Sequence, residues 1–127
     1  MILIDTSIWV DHLRKGHDLL SRLLERNLVL THPFVIGELA CGSMLNRHEI
    51  LQLLKTLPDI GMARHVEVLH LIEVEHLYGQ GIGWVDAHLL ASTRLADSYL
   101  YTSDKKLRVV AESLGIAFED SGSEGFY

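Results

Sequence analysis

The chain has 127 residues, 48% of them hydrophobic, and 17 acidic against 11 basic side chains give a formal net charge of −6. That length supports one hydrophobic core and no second one, so residues 1–127 are expected to form a single domain. The acidic balance excludes a protein that grips nucleic acid over a broad cationic face, and a lone Cys41 excludes an internal disulfide.

No CxxC pair or zinc-spaced His/Cys cluster accompanies Cys41, which reads as a small buried residue in a reducing, cytoplasmic protein. Met1-Ile2-Leu3-Ile4-Asp5 has no basic leader region, and no apolar run reaches the roughly 18 residues of a membrane span. Neither secretion nor membrane insertion is expected.

In chain order, Ile2 to Ile4 is a continuous apolar run suited to a buried parallel strand. Ser7 is a candidate N-cap for a helix carrying Ile8, Trp9 and Leu13, stopped by Gly16. A second helix is expected from Asp18 to Arg26, with its leucines on one side, and a strand from Leu28 to Thr31. Pro33 suits the first turn of a helix that runs to Cys41. Helices follow over Arg47–Leu57 and about Arg64–His76, and then Gly79-Gln80-Gly81-Ile82-Gly83 breaks the pattern. Trp84–Ala96 reads as a helix, Tyr99–Thr102 as a strand, Asp104–Leu114 as a helix and Ile116–Phe118 as a last strand. The polar end, about 119–127, reads as a loose tail. Alternating strands and helices predict an α/β domain around a central parallel sheet.

Four carboxylates interrupt these apolar segments: Asp5, Glu38, Asp86 and Asp104. An unpaired carboxylate among apolar neighbours costs several kcal/mol or surrenders its charge, whereas a divalent cation turns the same groups into ligands. Asp5 and Asp104 each follow a strand and precede a helix, so they belong to the carboxyl-end rim where open parallel sheets bind ligands. Glu38 and Asp86 lie on crossing helices that can bring them to that rim.

Asp5-Thr6-Ser7, Glu38 in its apolar helix, Gly83-Trp84-Val85-Asp86-Ala87-His88-Leu89-Leu90-Ala91 and Thr102-Ser103-Asp104 together resemble the PIN-domain family. More narrowly they resemble the VapC toxins of bacterial type II toxin–antitoxin pairs. The resemblance spans Ile2 to about Phe118 and rests on the order and spacing of all four motifs. It implies a three-layer α/β/α fold with four or five short parallel strands. It also implies an endoribonuclease dependent on one or two Mg²⁺ or Mn²⁺ ions, leaving 5′-phosphate and 3′-hydroxyl ends. A small VapB-type antitoxin, a homodimer and a toxin–antitoxin hetero-oligomer come with it. Asp5 and Asp86 would be direct ligands, with Glu38 and Asp104 completing the site; Thr6 and Ser7 would orient Asp5, and Thr102 and Ser103 would support Asp104.

Each feature has a plainer reading beside the functional one. Asp5 and Asp104 are also helix caps, and Glu38 and Asp86 also solvated helix acids. Lys105, Lys106 and Arg108 form either an RNA phosphate track or a solvated helix face. Trp9 and Trp84 suit the core as readily as base stacking or antitoxin contact. The helices around Trp9–Leu13 and Leu19–Leu24 serve either a partner groove or the core. The eight histidines lack metal spacing: His48-Glu49 continues to Gln52, not to His, and His88 lies about 200° around a helix from Asp86. Two other functions fit less well: a non-catalytic scaffold on the same fold, which should have lost an acid, and an aspartyl-phosphate phosphotransferase, which needs an Asp where Ser7 stands.

Overall fold

The computed structural model describes residues 1–119; the greater part of the expected tail, residues 120–127, lies outside the described residues. Ile2, Leu3 and Ile4 form β1 (Ile2–Ile4), and all three are sealed from solvent, so an unbroken apolar run encodes this strand. Two strands pair with it in parallel, β2 (Val29–Leu30) and β3 (Tyr99–Tyr101), in the order β2-β1-β3. Ile2 lies opposite both Val29 and Tyr99. The expected four or five strands become three among the described residues. Ile116–Phe118 contributes a single bridge, Leu100 to Ala117, and Thr31 to Asp59 is a matching bridge at the other edge. Each edge segment pairs at one position only.

Among the described residues seven helices flank this sheet: α1 (Thr6–Lys15), α2 (Asp18–Glu25), α3 (Pro33–Cys41), α4 (Arg47–Thr56), α5 (His65–Val74), α6 (Trp84–Leu95) and α7 (Lys105–Ser113). The crossover from β1 to β2 leads to one side of β1, and that from β2 to β3 leads to the other. Right-handed crossovers then put helices on both faces of the sheet, with a switch point between β1 and β3. Four helices end alike. Asn27, His76, Asp97 and Gly115 take left-handed backbone after α2, α5, α6 and α7, and the next residue bonds back across the turn. These bonds run from Leu28 N–H to Leu23 O, Leu77 N–H to Ile72 O, Ser98 N–H to Thr93 O and Ile116 N–H to Ala111 O, at 3.0–3.1 Å.

The core settles several open readings. Trp9 is 0% exposed, and Leu19, Leu20 and Leu23 pack with it against β1, so these residues face inward and form no partner groove. Exposed apolar side chains gather instead on α5 and α6, where Val66, Val74 and Leu95 flank a groove of about 480 Å³. Cys41, expected to be buried, is exposed. Val35 and Leu39 carry the buried stripe of α3, and Cys41 falls outside their spacing. No helix among the described residues is long and apolar enough to cross a membrane.

Candidate active site

Asp5 leaves β1 at the switch point. Its backbone N–H bonds Tyr101 O at 2.9 Å, which extends the ladder one residue beyond the strand, while its carbonyl accepts the first N–H groups of α1 from Ile8 and Trp9. Asp5 is therefore the N-cap residue of α1, and Ser7 lies inside the helix. The Asp5 side chain makes no capping bond. Its Oδ2 accepts from Thr102 Oγ1 at 2.7 Å and from Ser7 Oγ at 2.8 Å, and only 7% of the residue is exposed. Two hydroxyl donors offset the cost of burying this carboxylate.

The hydroxyls distribute differently from the sequence expectation. Thr6 Oγ1 donates to Glu38 Oε1 at 2.6 Å and so joins α1 to α3, whereas Asp5 was its expected partner. Thr102 donates to Asp5 and accepts the Asp104 backbone N–H at 3.1 Å, which couples two acids through one side chain. Ser103 acts through its backbone N–H, bonded to Ser7 Oγ at 3.1 Å. Asp104 is the N-cap of α7, its Oδ1 accepting Leu107 N–H at 3.1 Å. Asp86 sits in the first turn of α6, and its Oδ2 accepts the Gly83 N–H at 3.1 Å.

Folding brings the four acids into one electrostatic neighbourhood. Burial pushes the Asp86 carboxyl above its usual range; the Gly83 hydrogen bond opposes that rise, and the charges of Asp5, Asp104 and Glu38 add to it. None of the four is ion-paired among the described residues. Nor do any three His, Cys, Asp or Glu side chains among those residues, as placed, form a group that could hold a metal ion. Like charges repel, and each carboxylate has turned at least one oxygen onto a protein donor. The chemistry of the set, four hard oxygen donors with uncompensated charge, suits an Mg²⁺- or Mn²⁺-like ion better than a soft one.

Lys106, Lys105 and Arg108 are exposed on α7. The Lys106 side chain lies against Gly81, whose φ is +81°; a β-carbon there would stand 2.7 Å from Lys106 Cδ and 3.2 Å from Nζ. Behind Asp86 on α6, His88 is 0% exposed, with both ring nitrogens buried and without hydrogen-bond partners. Phe34, Trp84 and His65 surround it edge to face, with ring centroids 4.8–5.0 Å away. His32 is buried beside it. Its Nδ1 accepts Phe34 N–H at 3.0 Å, so its Nε2 carries the proton and faces Ser92 Oγ at 3.1 Å. These histidines pack α6 against α3 and α5.

A parallel sheet at whose switch point four acids share one field is the architecture of a PIN domain. The family model described as "PIN domain" matches residues 2–113, and the chain belongs to that family. Within it, the similarity is to VapC proteins. "Ribonuclease VapC32" of Mycobacterium tuberculosis, from strains CDC 1551 / Oshkosh and ATCC 25618 / H37Rv, is 41% identical over 124 residues in each case, covering 97% of this chain and 100% of the relative.

Proposed function

We propose that this chain is the toxin of a VapBC-type toxin–antitoxin pair, an endoribonuclease that hydrolyses RNA phosphodiester bonds with Asp5, Glu38, Asp86 and Asp104 as its metal-holding acids. The single observation that carries the reading is the hydroxyl network at the switch point of the sheet, where Thr102 donates to Asp5 and accepts the Asp104 backbone N–H while Thr6, next to Asp5, donates to Glu38. Full-length similarity to a protein named as a ribonuclease supports the reaction class.

One or two Mg²⁺ or Mn²⁺ ions, when bound, would supply an acidified water and charge neutralisation at phosphorus. The chain's own residues prepare that site. Thr102 and Ser7 fix the orientation of Asp5, Thr6 fixes Glu38, and the Gly83 and Leu107 N–H groups fix Asp86 and Asp104. Lys106, with Lys105 and Arg108 on the same helix, gives the RNA phosphates a local positive field that the net charge of −6 does not. The same reading includes inhibition by a small VapB-type antitoxin in a hetero-oligomer, self-association of the chain, and a cytoplasmic setting.

The test is cleavage of RNA by the purified chain in Mg²⁺ or Mn²⁺, with the new 5′ ends mapped. Cleavage should vanish in Asp5→Asn and Asp86→Asn and be blocked by the antitoxin encoded beside it. Equal cleavage by wild type and both variants would assign the activity to a contaminant and refute the reading.

A further inference from the structure

The two tryptophans part company in the fold: Trp9 is wholly internal, but Trp84 is 41% exposed at the start of α6. Its ring stands edge-on to His65 and His88, at 5.7 and 4.9 Å between centroids, and is thereby held in place from within. Beside it opens a cleft of about 160 Å³ lined by Trp84, Tyr78, Ile82 and Gly83, with Leu77 and Ala87 as its buried members. Tyr78 is 61% exposed, so two aromatic rings reach solvent at one small apolar slot. A slot of that size suits one planar ring system.

Gly83 connects this slot to the acids. It lines the cleft, and its N–H holds the Asp86 carboxylate. Trp84 and Asp86 are two residues apart, about 200° around the helix, so a strand reaching both must cross the N-terminal end of α6. Nothing obstructs that crossing at Gly83, where a β-carbon would meet no atom within 4 Å. The Lys106 ammonium lies against Gly81, two residues before Gly83 in the chain. An apolar aromatic slot, an open glycine crossing, a cation and a group of acids are the parts a single-stranded polynucleotide requires: stacking for a base, charge for its phosphate.

We infer that the Tyr78–Trp84 cleft holds one unpaired base of the RNA, one or two nucleotides from the phosphate at the acids. This rests on the ribonuclease reading and adds a specificity site to it. Because stacking accepts any π-face, the cleft selects for an unpaired, accessible base more than for its identity.

The test walks a single abasic position along a fluorescent single-stranded RNA and measures binding to the full chain in Ca²⁺, with the RNA verified intact, and KM and kcat in Mn²⁺. One abasic position should weaken wild-type binding about 5- to 100-fold and raise KM more than it lowers kcat. Trp84→Ala should bind the intact RNA as poorly as wild type binds that abasic RNA, and should not distinguish the two; Trp84→Phe should restore the difference. Tyr78→Ala, at a more exposed position, should show a smaller loss at the same nucleotide and settles the matter should Trp84→Ala not fold. The inference is overturned by wild-type binding indifferent to every abasic position, by no RNA binding, or by Trp84→Ala weakening antitoxin protection alone. Base-dependent binding without cleavage in any divalent metal would support the cleft and refute the ribonuclease reading.

Discussion

At the scale of single residues, Asp86 and Thr102 carry the sharpest consequences. The native fold holds the Asp86 proton to higher pH than the unfolded chain, whose value is near 3.8, so this group's contribution to stability falls as pH rises from there through the raised native value. At neutral pH its charge opposes the metal-free fold. Asp86→Asn should therefore raise the thermal midpoint in EDTA while lowering cleavage by at least about 100-fold, read by calorimetry and RNA cleavage together. Thr102→Val removes the donor to Asp5 and the acceptor for Asp104 N–H, and should cost about 1–3 kcal/mol in urea unfolding as well as weakening metal binding. His32 titrates in the opposite sense. Burial lowers it from 6.5 to about 4, although Asp59 pulls it upward, so the unfolded chain takes up a proton first and stability falls as pH drops from about 6.5 towards 4. That loss should be on the order of 1–3 kcal/mol, and His32→Gln should flatten the slope between those pH values. The separate acids were legible in the sequence. The allocation of hydroxyls was not, because Thr6 and Thr102 meet Glu38 and Asp5 across 32 and 97 residues of chain.

At the scale of elements, helix positions followed from apolar spacing and breakers, while the endings depended on backbone geometry. Gly115 announces a left-handed turn, as glycine alone accepts it freely, and Asn27 is a tolerated second choice. His76 and Asp97 are weaker signs of the same turn, being more tolerant of left-handed backbone than most side chains, and they occupy the same position after α5 and α6, where a bond back across the turn satisfies the helix end. Gly115→Ala meets no neighbour within 4 Å, so its expected cost of about 1 kcal/mol in chemical denaturation is purely one of backbone conformation. The last strand shrank to one bridge for a different reason. Ile116 and Phe118 are buried against the sheet as expected, but only Ala117 lies in register to pair with Leu100.

At the scale of the whole molecule, acidity and RNA binding are compatible only when the cations are local. With Lys105, Lys106 and Arg108 as the contacts, the slope of log affinity against log salt should be shallow, about −2, and each Lys→Ala should reduce it by roughly 0.7. Mn²⁺ should raise the thermal midpoint of the wild type and not of Asp5→Asn, with EDTA reversing the rise. The sequence by itself determined the class of fold and singled out the four acids proposed for the site. A buried parallel strand must be written as an unbroken apolar run, and a carboxylate in such surroundings demands a reason. Only tertiary structure decided which hydroxyl holds which acid, that Trp9 is core while Trp84 faces solvent, and that Lys106 rests on Gly81. Those are contacts between segments far apart in the chain, and local periodicity reports which face of an element is apolar without reporting what will be placed against it.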